Sequence, residues 1–254
     1  DPQPVVTSVY PAGDRVPANL LRFYIEFSHP MQRGDVRDNI TLLDASGQPV
    51  EGPFLQIGHE LWDPGMRRLT VLLDPGRIKL GVAPNRQVGA PLAADGSYQL
   101  LIGPGLRDAE GRPLAQIHRK SFTTTADDRK SPDPRRWQLS QPRRGTDTPL
   151  AVTLDGVIDP MLARRLVRVE DLGGTPIPGA VTVDEDAHAL LFTPSQPWTA
   201  DGYRLAIHPS LEDYAGNRVA SLFDMKAGSV ARLAETGATR SVVYLPIATA
   251  EPGR

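Results

Sequence analysis

The sequence contains no cysteine among its 254 residues. This absence excludes a disulfide framework, a thiolate metal site and a cysteine nucleophile. The sequence also lacks any run approaching the roughly 18 apolar residues that a transmembrane helix requires, so we expect no transmembrane segment. Neither sign of charge dominates, because 28 Lys and Arg stand against 30 Asp and Glu. Without a net basic field we expect no nucleic-acid partner.

The motifs that mark common enzyme classes are missing as well. There is no nucleophile elbow, no H-E-x-x-H, no Walker A loop and no dinucleotide-binding fingerprint. The five histidines are scattered singly. The acidic run 184–186, close to His188, is typical of a solvated hairpin tip. We therefore predict that the protein is not an enzyme and uses no cofactor.

Turn-forming residues are abundant, with 25 Pro and 23 Gly. Helical bundles tolerate such a content poorly, whereas short-stranded β domains use these residues at every corner. Apolar residues alternate with more polar ones in 21–28 and again in 150–155. This period predicts strands with one face in a core and the other face, including Tyr24, in water. The composition and the pattern both favour an all-β fold.

A repeat runs through the chain. Residues 98–114 align without a gap over residues 203–219 at a constant offset of 105 (203 − 98), with seven identical pairs in seventeen positions. Upstream, 11–31 resembles 142–161, and 40–50 matches 167–177. Three blocks recurring in one order indicate a duplicated domain. We predict these segments: a first β-sandwich at 1–126, a linker at 127–136, a second β-sandwich at 137–226, and a tail at 227–254 whose 241–245 segment is a candidate for one added strand.

Four D-x-x-G turns recur in the two copies. In each, Asp can bond backbone N–H groups and Gly can adopt a positive φ. Short strands with such turns every 8–12 residues are typical of a sandwich of the immunoglobulin type. The turns lie at 44–47, 108–111, 171–174 and 213–216.

These residues carry a resemblance to a known family. The run Phe27-Ser-His-Pro-Met31, followed by D-x-x-G and then by Tyr-x-Leu-x-Ile before a second D-x-x-G, resembles the bacterial Ig-like domain of S-layer-protein type. The resemblance covers most of 5–125 and, more weakly, 137–225. It implies tandem immunoglobulin-like β-sandwiches from an exported bacterial protein, used as spacers or binding modules. The acidic residue usual before Pro-Met is His29 in the first copy and Asp159 in the second.

The first residues are Asp-Pro-Gln-Pro, without an initiating Met or a signal segment. We interpret this as a processed or trimmed start. The predicted localisation is therefore secreted or periplasmic, and a lipid anchor before processing stays open.

The two copies differ most in one insertion. Tyr98 follows Pro75 by 23 residues, whereas Tyr203 follows Pro194 by 9, so the first copy carries about 14 extra residues within 76–89. Long loops of this kind are disproportionately functional. Cations and an aromatic ring suit an anionic or sugar-like ligand. The alternative is that the insertion covers a sheet edge or packs on the second domain. The predicted ligand-binding residues are Arg67, Arg68, Arg77, Lys79, Arg86 and Trp62.

Histidine and methionine together suggest a soft metal site. Imidazole and thioether groups suit copper, and His29, Met31, His59 and Met66 are the residues from which such a site would be built. The alternative is that Met31, which recurs as Met161 without a neighbouring histidine, fills the core.

Our leading functional hypothesis is a non-catalytic, exported binding or spacer module pair of the cell envelope, with an unidentified protein or glycan partner. Two alternatives stay open from the sequence. One is a periplasmic copper-binding protein. The other is a structural subunit of a surface layer or filament, in which 241–245 adds to a neighbour's sheet.

Overall fold

The computed structural model describes residues 2–34, 36–79, 83–184, 187–219 and 241–248. The chain divides into two compact units, Asp1–Asp128 and Arg129–Arg254. None of the helices in the described ranges has the length and the apolar character needed to cross a membrane.

The first unit consists of two four-stranded sheets. Their strand orders are β1-β3-β6-β5 and β2-β8-β7-β4. Phe23 of one sheet lies against Phe122 of the other, with ring centroids 5.5 Å apart, so the core lies between the sheets. The elements are β1 (Val6–Tyr10), β2 (Arg15–Pro17), β3 (Arg22–Phe27), α1 (Val36–Asn39), β4 (Ile40–Leu43), β5 (Leu61–Trp62), β6 (Arg68–Leu72), α2 (Pro75–Ile78), α3 (Ala83–Val88), β7 (Ser97–Ile102) and β8 (His118–Thr125).

The second unit repeats this plan with sheets β12-β13-β10-β9 and β11-β14-β15. One buried cluster joins residues of both sheets, among them Val152, Phe192 and Leu205. The prediction of an all-β fold with two immunoglobulin-like sandwiches is confirmed. The elements are a 3₁₀ turn (Pro134–Arg136), β9 (Gln138–Leu139), β10 (Leu150–Thr153), α4 (Pro160–Leu166), β11 (Val167–Glu170), β12 (Gly179–Val183), β13 (Ala189–Pro194), β14 (Gly202–Ile207) and β15 (Ser241–Pro246).

Strand β15 is the counterpart of β8. Tyr98 of β7 faces Phe122 of β8, and the repeat-related Tyr203 of β14 faces Leu245 of β15. Leu245 is fully buried in the second core. The predicted added strand therefore occupies a position that belongs to the repeat itself. The other parts of the predicted tail, 227–240 and 249–254, lie outside the described residues.

Alternation along the strands is observed in one copy and broken in the other. In β10, Leu150 and Val152 are buried while Ala151 and Thr153 are exposed. In β3, Tyr24 is also buried, at 5% exposure, although the pattern predicts that it faces water. The reason is that β3 lies inside its sheet, where Tyr24 is flanked by Tyr10 on β1 and Thr70 on β6.

The four D-x-x-G turns form as predicted. Their glycines, Gly47, Gly111, Gly174 and Gly216, have φ between 78° and 91°. In the first turn the Asp44 carboxylate accepts hydrogen bonds from the backbone N–H groups of residues 46 and 48. A residue with a Cβ would be strained at the glycine position, so the pattern specifies these corners.

Asp108 opens one of these turns and is completely buried. Its carboxylate accepts the backbone N–H of Arg112 at 2.8 Å and the Arg112 Nε–H at 2.7 Å. Although burial raises the pKa of Asp108, the hydrogen bonds and charge of Arg112 outweigh burial and hold that pKa below its ordinary value.

A tyrosine hydroxyl anchors the connection before the penultimate strand in both units. Tyr203 Oη accepts the backbone N–H groups of Thr199 at 3.0 Å and Ala200 at 3.1 Å. In the first unit, Tyr98 Oη accepts the N–H of Ala93 at 2.8 Å. Trp198 packs on the Tyr203 ring at 5.0 Å and is 1% exposed, as expected for a core anchor.

We predict that Tyr203→Phe destabilises the protein more than Tyr98→Phe. The first change leaves two backbone N–H groups without their acceptor, and such a loss costs about 1–3 kcal/mol in a buried setting. The second change removes the acceptor of one N–H group at a less buried ring. Urea unfolding of both variants measures the difference, and equal losses would contradict this account of the anchor.

We predict that Asp108→Asn lowers the melting temperature most strongly near neutral pH. The folded-state pKa of Asp108 is depressed, so its stabilisation is present above the ordinary Asp pKa and is lost as pH falls through the folded value. The difference from wild type should therefore shrink below about pH 4. Circular dichroism melts across this range test it. The exposed Asp95→Asn serves as a control that keeps the wild-type profile.

Candidate functional site

The edge strand next to β6 is interrupted, whereas its counterpart in the second unit is continuous. There, β12 pairs with β13 residue by residue, from Gly179 opposite Pro194 to Val183 opposite Leu190. In the first unit, Phe54 pairs with Leu73, and pairing resumes only where β5 meets β6.

The turns beyond these strands fix the equivalence of the two copies. Asp63 O accepts the N–H of Met66, and Asp184 O accepts the N–H of Ala187, both at 3.0 Å. Met66 and Ala187 have the same unusual φ, 55° and 58°. The β5 residues therefore correspond to residues 182–183.

Five residues of the first unit consequently replace one residue of the second. Phe54 and Leu55 correspond to residues 179 and 180, which leaves Gln56–Glu60 in the place of Val181. We call Gln56–Glu60 the bulge. Val181 packs against the second core and lies opposite Phe192. Val71 of β6 pairs with Phe23 of β3 on one side, and on the edge side the bulge takes the place of a paired strand residue.

A cavity of about 480 Å³ lies between the bulge and β6. Its volume is in the range of sites that hold small molecules. Ile57 of the bulge stands at its rim with 41% of its surface exposed. The apolar lining comes from both sheets and from α1, and its main residues are Val36, Ile40, Leu55, Leu61, Leu69 and Val71.

Glu60 holds one wall of the cavity in place. Its Oε1 accepts the backbone N–H groups of Gly34 at 3.0 Å and Val36 at 3.2 Å, and its Oε2 accepts Trp62 Nε1–H at 2.7 Å. Arg33 Nη1 donates to the Glu60 carbonyl at 3.2 Å. One side chain thus ties the segment before α1 to the bulge and to β5, which keeps the cavity open.

Three of the predicted ligand-binding residues lie around the turn that joins β5 to β6. Trp62 packs on Phe27, with ring centroids 5.6 Å apart. The N–H groups of Arg67 and Arg68 both donate to Asp63 Oδ1 at 2.8 Å. The Arg67 guanidinium also donates to the Ser28 carbonyl. The structure therefore gives Trp62 and Arg67 contacts within their own unit.

The other three predicted ligand-binding residues, Arg77, Lys79 and Arg86, follow the opposite end of β6. Arg77 is 6% exposed and donates to the carbonyls of Gly89 at 2.8 Å and Gly52 at 2.9 Å. Because a strand is extended, β6 separates this group from Arg67 and Arg68 instead of joining them. The structure does not assemble the six residues into one site.

The insertion 76–89 contains α2 and α3 in its described part, and 80–82 lie outside the described residues. Asp74 caps α2 by accepting the N–H of Gly76 at 2.8 Å. Ile78 is buried. These contacts favour a covering role for the described part of the insertion.

Two of the predicted copper ligands are neighbours, because the Met31 backbone N–H donates to the Met66 carbonyl at 2.8 Å. Met31 is 3% exposed, and its repeat partner Met161 is 5% exposed, which matches the core-filling alternative. His29 Nδ1 shares a hydrogen bond of 2.7 Å with Ser28 Oγ, while His59 lines the cavity. Among the described residues, no three His, Asp or Glu side chains are arranged to hold a metal ion. The copper site stays a prediction.

The bulge is not among the features predicted from the sequence, although the sequence carries a signal for it. Asp63 follows Pro49 by 14 residues, whereas Asp184 follows Pro176 by 8. The spacing that exposed the insertion at 76–89 would have exposed this shorter one. The spacing gives six extra residues (14 − 8), of which the bulge accounts for four (5 − 1) and the segment before Phe54 for two, and the opening of a cavity depends on which strand is interrupted.

Comparison with known proteins gives a family match that covers the first unit. The sequence model of the family described as bacterial Ig-like domain matches residues 1–124. No curated protein matches the chain.

Solved structures with similar folds include CopC from Methylosinus trichosporium OB3b, at 17% identity and a TM-score of 0.32, covering 50% of this chain and 98% of that one. The N-terminal part of the bacterial S-layer protein SbsC matches at 11% identity and a TM-score of 0.33, covering 97% of this chain and 44% of that one. Escherichia coli alpha-2-macroglobulin matches at 12% identity and a TM-score of 0.32, covering 66% of this chain and 8% of that one. The chain thus spans less than half of the last two.

We predict that Glu60→Ala destabilises the first unit by about 1–2 kcal/mol, because three N–H groups lose their acceptor. Hydrogen exchange should accelerate at the amides of Gly34 and Val36. Urea unfolding and exchange mass spectrometry measure the two effects. Glu51→Ala, at an exposed position, is the matched control. Unchanged exchange at both amides would show that Glu60 does not hold this wall.

Proposed function

Because residues 1–124 match the bacterial Ig-like domain family, we propose that the chain is a non-catalytic, exported module of the cell envelope whose first unit binds an apolar small molecule. The observation that carries this proposal is the replacement of one core-packed valine by the bulge. It opens a cavity in one copy of a duplicated domain, whereas the corresponding valine of the other copy packs against its core.

The cavity supports a small apolar ligand better than the glycan considered from the sequence. A sugar carries many hydroxyl groups, each of which needs a polar partner when water is removed. The lining of the cavity is mostly aliphatic, and its polar side chains come from the bulge, from Arg33 and from Thr70 of β6. Removing an aliphatic ligand from water is favourable in proportion to the buried area.

The second unit supports a scaffold role. Val181, Phe192 and Trp198 fill the corresponding region, and Trp198 Nε1–H donates to the Thr148 carbonyl at 2.8 Å. The edge strand is thus continuous in one copy and interrupted in the other. This division favours a binding unit joined to a spacer unit.

The surface-layer alternative used 241–245 as a strand donated to a neighbour. In the structure, β15 pairs along its length with β14 of its own unit. One of the two strand edges is therefore already occupied, which favours the binding role over donation of this strand.

We predict that the protein binds the neutral apolar dye N-phenyl-1-naphthylamine at one site, with a rise in fluorescence. Replacing residues 56–60 by a single Val, as in the second unit, should weaken binding by tenfold or more, because the space is closed. A second variant, Leu61→Trp, partly fills the cavity without shortening the chain and should also weaken binding. Fluorescence titration measures both effects.

Leu191→Trp provides the control, since it adds the same ring at an exposed position of the second unit. It should bind the dye as the wild type does. Circular dichroism establishes that each variant is folded. Undiminished binding in folded variants with the cavity closed or filled would contradict the proposed site.

A further inference from the structure

We infer that the ligand of this cavity is a single-chain amphiphile with an anionic head group, which Arg33 binds at the cavity mouth. The inference rests on the proposed function and specifies its ligand. Two observations support it. The interior of the cavity is apolar. At the opening, both oxygens of the Glu60 carboxylate already accept hydrogen bonds, whereas the Arg33 guanidinium donates only one among the described residues.

The apolar interior of the cavity favours an alkyl chain as the buried part of the ligand. Ile40 of one sheet and Leu69 and Val71 of the other are buried side chains that reach the same cavity. They offer no hydrogen-bonding group to a ligand that lies between the sheets. An alkyl chain needs none, whereas a peptide backbone would bring N–H and C=O groups that lose their water there.

The carboxylate at the opening is already occupied. Glu60 supplies the only carboxylate among the described residues that line the cavity. Both of its oxygens accept N–H groups, two from the backbone and one from Trp62. Three of its roughly four acceptor positions are therefore in use, which leaves Glu60 little capacity for a cationic head group, and the charge of Arg33 disfavours a cation at the same opening.

Arg33, the cationic residue at the opening, has N–H donors that a ligand can use. A guanidinium has five N–H donors, and Arg33 donates one of them, from Nη1 to the Glu60 carbonyl at 3.2 Å. Among the described residues, this is the one hydrogen bond that the Arg33 side chain makes. His59 lines the same cavity and adds a ring N–H at the rim. A sulfate or carboxylate head group can accept from both residues while its chain extends inward.

The test is calorimetric titration with octyl, decyl and dodecyl sulfate as monomers, with decyltrimethylammonium and decanol for comparison. We expect one site, an affinity that rises by up to about fourfold per methylene until the cavity is filled, and at least tenfold weaker binding of the cation.

Arg33→Gln should weaken decyl sulfate binding by about fivefold, as for a partly exposed ion pair. It should weaken binding of decyl sulfate more than binding of the neutral dye or of decanol. Arg119→Gln, an exposed arginine on β8, is the matched control and should change none of these.

The outcomes separate the inference from the proposed function. Equal affinities for decyl sulfate, decanol and decyltrimethylammonium, with dye binding still lost on closing the cavity, would overturn the anionic head group and leave the apolar site standing. Failure of both the dye and the alkyl sulfates to bind would overturn both proposals. Binding to anionic vesicles without binding of the monomer, or several sites that survive replacement of the bulge, would overturn the inference of a single enclosed chain.

Discussion

The space between the two sheets of a sandwich must be closed at its sides, and an edge strand paired to its neighbour closes it. In the second unit, β12 pairs continuously with β13, and Val181 places its side chain against the core. In the first unit, the same pairing is made at both ends of the strand and released in the middle. Everything proposed about binding follows from this one interruption, because the released segment leaves a cavity beside the core side chains of β6.

The interruption is tolerated because the surrounding contacts are independent of it. The turn at Asp63 forms as its counterpart at Asp184 does, and the tyrosine anchors are present in both units. Glu60 then replaces lost strand pairing with hydrogen bonds to the segment before α1. The hydrogen bonds between strands are thus replaced by hydrogen bonds to the Glu60 side chain, which hold the walls of the cavity in place without filling it. A binding site can arise in a duplicated domain in this way while its fold is kept.

Features that depend on local chemistry could be predicted from the sequence. The D-x-x-G corners follow from the positive φ of glycine and the acceptor of Asp, so the four turns were identified correctly. Features that depend on neighbours in space could not. Tyr24 is buried because two strands flank it, and Arg77 is buried because carbonyls of distant residues surround its guanidinium. The role of β15 was hidden because the repeat loses its match before that strand begins. The bulge lies between these cases, since the extra residues between Pro49 and Asp63 can be counted, but their position and effect require the strand order.

The measurement that tests this account most directly is hydrogen exchange of the intact chain with and without saturating N-phenyl-1-naphthylamine. The account predicts slower exchange in 33–36, 54–61 and 69–72 of the first unit, and unchanged exchange in 179–183 and 190–194, the corresponding strands of the second unit. Equal protection of the two units, or protection centred on the insertion at 76–89, would contradict the claim that the interrupted edge strand creates the binding site.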